Sequence, residues 1–158
     1  MVVAFEPISV VEEFVYTTLS ADEALVLLLG SADAIRPQFM PDEEPDLHVT
    51  HDFAGPDGRD TGTIPMGQAI AMLSLRWMIV AWSKGPSRQA LRPVMKRIVV
   101  ALGGLDMRGR QFVFVDSDEI GWDVTTRYEG PARVTPEAGA TGVWQQVAGY
   151  FRIEIRQK

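Results

Sequence analysis

MLSLRWMIVAWSKGPSRQALRPVMKRIVVAL, residues 72–102, is a strand signal running straight into a helix signal. Leu73, Leu75, Trp77, Ile79 and Ala81 fall on one face of a period-two strand. Met72, Ser74, Arg76, Met78, Val80 and Trp82 fall on the other, so both faces are largely apolar and the strand belongs in the middle of a sheet. Lys84-Gly85-Pro86 turns the chain. From Ser87 to Leu102 the spacing lengthens to Ala90/Leu91, Val94/Met95, Ile98/Val99 and Leu102, the stripe of a helix packed on a sheet. Pro93 would remove a hydrogen bond inside such a helix, at a cost of roughly 3 kcal/mol. Either the helix bends there or its regular part starts near Arg92.

Upstream, Ser9-Val10-Val11-Glu12 has capping-box spacing and opens a helix from about Val10 to Leu19, with Val11, Phe14, Val15 and Thr18 on one side. Ser20-Ala21-Asp22-Glu23 repeats the signal, and Gly30 is a left-handed stop after Leu29. Two consecutive helices, or one bent near Ser20, account for this segment. Ser31–Pro45 contains Pro37, Pro41 and Pro45 and the acidic run Asp42-Glu43-Glu44, and reads as an exposed connection. Leu47, Val49, His51 and Phe53 then alternate with polar residues as a short half-buried edge strand. Ala54–Gly67 is a glycine- and proline-rich arm joining two antiparallel strands, of a length uncommon unless it binds something or is disordered.

Downstream, Gly103-Gly104 ends the helix and Phe112–Val115 is a strand-type run. Trp122, Val124, Thr126 and Tyr128 alternate in a second strand closed by Glu129-Gly130-Pro131, and Ala132–Gly142 is irregular. The last strand is the cleanest, with Val147, Gly149, Phe151, Ile153 and Ile155 facing the core and the alternate residues facing water. The element order predicts one α+β domain over residues 1–158, a mainly antiparallel twisted sheet with helices packed on one face.

Composition narrows the function classes. With 158 residues, 46% hydrophobic and 23% charged, the chain suits one soluble globular core. Its longest apolar run, Ala24–Leu29, is far too short to cross a membrane, and no basic segment precedes an apolar one near the N-terminus as in a secretory signal. The absence of cysteine removes disulfides, thiolate metal sites and cysteine nucleophiles. A net charge of −6 and a pI of about 4.9 oppose a broad phosphate-binding surface, and with it sequence-reading nucleic-acid binding.

No chemical constellation survives its spacing. His48 and His51 would point to opposite faces of a strand, and these two are the only histidines, so no metal site is expected. The glycine-rich Gly55–Gly67 lacks the Gly-Lys-Ser/Thr ending of a phosphate loop, and Asp57 and Asp60 repel anions. Asp42/Glu43/Glu44 and Asp116/Asp118/Glu119 lie in loops and read as surface acidity. There is no Gly-x-Ser-x-Gly elbow. Neither catalytic residue nor cofactor is expected. The aromatic residues read as core and subunit contacts, and Trp82 and Trp144, at strand ends beside loops, are the candidate interface aromatics.

Three stretches together resemble the tail-terminator, or tail-completion, proteins of long-tailed bacteriophages. These are Val11-Glu12-Glu13-Phe14 through Leu29-Gly30, Leu73–Trp82 followed by Ser87–Leu102, and Trp144 through Arg156. Asp42–Glu44 and Pro136–Gly142 depart from the shorter members. The resemblance implies a non-enzymatic subunit, without cofactor, that closes into a homohexameric ring on the tail tube. Such a ring stops tube polymerisation and offers a face for head–tail joining. Its partners are then further copies of itself, the major tail tube protein and the head–tail connector or stopper protein, with DNA passing through the lumen and no membrane involved. The implied location is the neck of the virion, after assembly in the host cytoplasm. Arg59, Asp60, Ile64 and Met66 of the arm are the candidate contacts beside Trp82 and Trp144. Another neck component is the rival in the same class; a small α+β ligand-binding domain or enzyme is the rival outside it.

Overall fold

The computed structural model describes residues 7–37, 46–54, 72–84, 89–103, 109–132 and 144–158. Three helices, α1 (Pro7–Ser20), α2 (Glu23–Leu29) and α3 (Leu91–Leu102), accompany one sheet of six strands. The strands are β1 (Ile35–Arg36), β2 (Leu47–Phe53), β3 (Met72–Lys84), β4 (Arg110–Val115), β5 (Gly121–Ala132) and β6 (Trp144–Gln157). Their order across the sheet is β1-β2-β3-β6-β5-β4, and every neighbouring pair is antiparallel except β1 and β2. The fold is α+β with a mostly antiparallel, curled sheet, as the sequence predicts.

β3 is interior, paired with β6 from Met72↔Arg156 to Lys84↔Trp144 and with β2 from Leu47↔Ser83 to Phe53↔Trp77. Registers place Val49, Ala81 and Val147 on one face, followed by Leu75 with Ile153 and Thr126, and Trp77 with Phe151 and Tyr128. This is the helix side, and it carries the main core with Val11, Phe14, Val15, Leu19, Leu25, Val94 and Ile98. The alternation read from β2, β3, β5 and β6 assigns this face correctly. Gly149 belongs to it without a side chain, because a Cβ there would stand 2.8 Å from the Tyr128 ring.

The curl is visible in what α1 touches. It packs against β1 and β2 at one side of the sheet, while Phe14 meets Phe112 and Phe114 of β4 at the opposite edge, with ring centroids 5.1 and 5.5 Å apart. Six flat strands would hold those edges roughly 24 Å apart. The sheet therefore wraps around its helices.

Several local expectations change. α1 begins at Pro7, ahead of Ser9, where proline's fixed φ suits a first helical turn. Ser20 does not cap α2: its hydroxyl donates back to the Tyr16 carbonyl at 2.6 Å and closes α1. Asp22 is the cap, accepting from the Leu25 N–H at 2.9 Å, and the two helices are separate. Gly30 adopts φ 87° and its N–H reaches the Val26 carbonyl, the left-handed stop expected there. α3 starts at Leu91, so Pro93 lies in the first turn, where its missing N–H has no helical partner to lose.

The connection after α2 is not wholly exposed: Ala34 and Ile35 are buried, and β1 pairs in parallel with Val49 and Thr50. That pairing also makes β2 an inner strand, not the edge expected from sequence. Asp116 is not surface acidity. It is buried in the β4–β5 turn, where Oδ1 accepts from the Asp118 and Ile120 N–H groups and Oδ2 from the Trp122 indole, each at 2.9 Å.

Two carboxylates thus hold the scaffold together. Asp22 also takes a fork from Arg97 of α3, Nε to Oδ1 at 2.8 Å and Nη2 to Oδ2 at 2.9 Å. That hydrogen bonding lowers the Asp22 pKa below 3.8 against the opposing effect of burial. Burial raises the Asp116 pKa, but the donors from Trp122, Ile120 and Asp118 outweigh it and leave the value lowered. Asp22→Ala is expected to cost about 1–2 kcal/mol through the lost cap. Asp116→Ala should cost about 2–3 kcal/mol by stranding the buried indole and two N–H groups. Both folded pKa values lie below the unfolded ones, so this stability is complete above pH 3.8 and disappears as pH falls through the folded values. Urea titrations of the two variants and the parent at neutral pH and in acid check both statements.

Candidate assembly surface

The sheet face turned away from the helices divides into two halves along β3. Around the C-terminal end of β3, Val80, Trp82 and Ala148 form a second buried cluster, with Met78, Ala132 and Trp144 packed against it. Alternation on β6 predicted a wet face here, yet Ala148 is buried because the apolar second face of β3 lies beside it. His48, directly opposite Trp82 in the register, stacks on its ring at 6.0 Å with planes 6° apart. Trp144 meets His48 edge-on at 5.1 Å, and the Trp82 indole donates to the Thr50 hydroxyl at 2.9 Å. Trp82 is only 4% exposed. The two candidate interface tryptophans therefore converge on one histidine, within a cluster of this chain's own residues. Arg59, Asp60, Ile64 and Met66 lie outside the described residues, as does the rest of the arm at 55–67.

The histidines point to opposite faces, as strand geometry requires, and no group of three or more potential metal ligands occurs among the described residues. His51 lies on the helix side, where the Trp77 indole donates to its Nδ1 at 3.2 Å. Nδ1 is then the acceptor and Nε2 carries the proton of the neutral ring. Nε2 is buried without a hydrogen-bond partner among the described residues. Burial lowers the pKa to about 4, so the imidazole is neutral inside the fold.

Towards the N-terminal end of β3 the same open face becomes polar. Arg76, Arg152 and Arg127 occupy one rung across β3, β6 and β5. Glu129, at a bulge between Tyr128 and Gly130, sets one carboxylate oxygen 3.4 Å from Arg152 Nε and 3.9 Å from Arg76 Nε. The Arg76 guanidinium lies 3.9 Å over the Tyr150 ring. Beyond this rung a groove is lined by Gln111, Val113, Asp123, Thr125, Glu154 and Arg156.

β4 borders that groove as an edge strand, and its outward residues Val113 and Val115 are 70% and 59% exposed. Arg110 anchors the start of β4, donating to the Val100 and Ala101 carbonyls near the end of α3 and lying 4.9 Å over Phe112. A second exposed apolar point is Leu27 on α2, at 84%. Sequence reasoning missed both the arginine rung and the outward valines. The rung's signal was present in the alternation, since Arg76, Arg127 and Arg152 all occupy outward positions, but only strand order and register place them side by side.

No family model and no curated protein matches the chain. Among solved structures, the chain is similar to one in the virion of a native gene transfer agent particle. That match covers 90% of this chain and 91% of the other, with a TM-score of 0.57 at 18% identity. The two share a fold over nearly their whole lengths.

The buried imidazole has a measurable consequence. Its folded pKa, about 4, lies below the ordinary 6.5, so the unfolded chain binds the extra proton first as pH falls. This contribution to stability is whole above pH 6.5 and is lost between 6.5 and 4, on the order of 3 kcal/mol. Denaturant titrations across that window should show the loss in the parent and a much flatter profile in His51→Gln.

Proposed function

We propose that this chain is a structural subunit of a phage-like virion and, within it, the tail terminator: a ring on the tail tube that ends polymerisation and receives the head's connector. The observation that carries the virion reading is the match to a gene transfer agent virion chain across 90% and 91% of the two lengths. It involves the whole fold and not one shared supersecondary unit. The finer role is supported by the order of elements, a helix pair, then a central strand feeding a helix, then a long closing strand. The chain acts by association and not by catalysis. A tube grows by repeating one interface; a subunit that matches the tube on one side and differs on the other ends the series.

The partners under this reading are further copies of the chain, the tail tube protein and the connector, with DNA passing through the ring and no cofactor. Disrupting the gene in a particle-producing host is the direct test, read by electron microscopy. Tubes of uncontrolled length, unjoined to heads, are the expected result. Tubes of normal length that fail to join heads would instead make the chain a connector component, and normal joined particles would remove it from assembly altogether. Deleting residues 58–62 should reproduce the loss of tube capping in a folded subunit if the arm is the contact.

A further inference from the structure

We propose that the outer face of α2 docks on the outer face of α3 in a second copy of this chain. The proposal takes from the reading above only that copies associate, and it names the helix faces that would meet.

α2 is apolar nearly all round. Six of its seven residues are Ala, Val or Leu, and Glu23 is the exception. A surface helix buries one apolar stripe and turns polar residues to water, whereas a helix apolar on every side is covered on every side. Leu25 and Leu29 of α2 enter the core, but Ala24, Leu27 and Leu28 are exposed together, Leu27 at 84% and Leu28 at 41%. Positions 24, 27 and 28 share one side of a helix. Leu27 also borders a groove with Ser20, Glu23, Val26 and Gly30, so this face is a ledge with a recess beside it.

Local charge identifies the cover. From α1 through α2 the chain carries Glu12, Glu13, Asp22 and Glu23 and no lysine or arginine. α3 carries Arg92, Lys96 and Arg97 and no carboxylate. Arg97 is tied within the chain by its fork on Asp22. Arg92 and Lys96 are exposed and make no ion pair among the described residues, and the same holds for Glu23. The spacing matches as well as the sign. Glu23 precedes the exposed Leu27 by four residues on α2, and Lys96 precedes the half-buried Val100 by four on α3. Each helix thus offers a charge and then an apolar group on one side. With the two helices aligned in the same direction, Glu23 meets Lys96 where Leu27 meets Val100. The methylene stems of Arg92 and Lys96 extend the apolar surface beneath the leucines. Two α2 faces meeting each other would give Glu23 no cation, so the contact joins unlike helices. Opposite charges at its rim select the partner, while apolar burial supplies the affinity.

The test uses the full chain, with its mass followed by light scattering and sedimentation over a concentration series. Self-association should weaken at least about tenfold in Leu27→Lys, and thermal melting should match the parent because Leu27 is exposed. Glu23→Lys and Lys96→Glu should each weaken it, and the two together should restore most of it. Copies of Leu27→Lys and Lys96→Glu should pair when mixed, since one keeps a good α3 and the other a good α2. A parent that stops at a dimer supports the contact and counts against the ring. If the parent forms rings and Leu27→Lys forms them equally well, the docking proposal fails while the ring reading stands. If Lys96→Glu associates like the parent while Leu27→Lys does not, α2 meets some other face and the assignment to α3 is overturned. A parent that stays monomeric throughout overturns a second copy as the occupant, and tube length then decides the ring reading.

Discussion

The thirteen-residue pairing of β3 with β6 is the constraint from which the rest of the structure follows. A strand of that length runs roughly 40 Å and twists along it, so its two faces cannot both be covered by one flat layer. The helix layer covers one face, where Leu75, Trp77, Ile79 and Ala81 meet α3 and its neighbours. The other face is continuously apolar over Met78, Val80 and Trp82, and there the cross-strand histidine and the second tryptophan close over it. Beyond Met78 the requirement to bury that face lapses, and arginine takes its place.

The helix layer is attached to the sheet and to itself by polar groups that each serve two structures at once. Asp22 caps α2 and holds α3 through Arg97. Arg110 satisfies carbonyls near the end of α3 and covers the Phe112 ring on the edge strand. Asp116 shapes the β4–β5 turn and satisfies the buried Trp122 indole. In a chain this small, such sharing limits how many charges must be desolvated to fix the elements relative to one another.

How much of this was legible in sequence depends on whether the signal was local. Alternation assigned the core face of four strands because a period of two is set by backbone geometry alone, and it placed His48 and His51 on opposite faces for the same reason. Gly30 was legible because a left-handed stop favours glycine. Caps were less secure: Ser20 fits the capping-box spacing yet turns back to the Tyr16 carbonyl, while Asp22 takes the Leu25 N–H and also holds Arg97, far away in sequence. β1, two residues long, has too short a pattern to read, and the burial of Asp116 depends on an indole six positions on. The candidate surface was the least legible part. Outward arginines on three strands are unremarkable singly, and their meeting depends on β6 lying between β3 and β5.

The two halves of the open face differ in how far they are satisfied within the chain. Residues that stabilise the monomer agree with one another across levels: propensity, alternation, register and polar satisfaction all favour the same arrangement around Trp77 and Phe151. The arginine rung, one register step from that pair, breaks the pattern by opposing like charges. A local conflict of this kind is tolerable because the layer beneath it is fully buried and does not depend on the rung for its packing. Glu129, at the adjoining bulge, lies against two of the three arginines. The outward valines of the edge strand and the arginine row lie on that same open face of the sheet. The fold thus confines its unfavourable electrostatics to the face left uncovered by its helices.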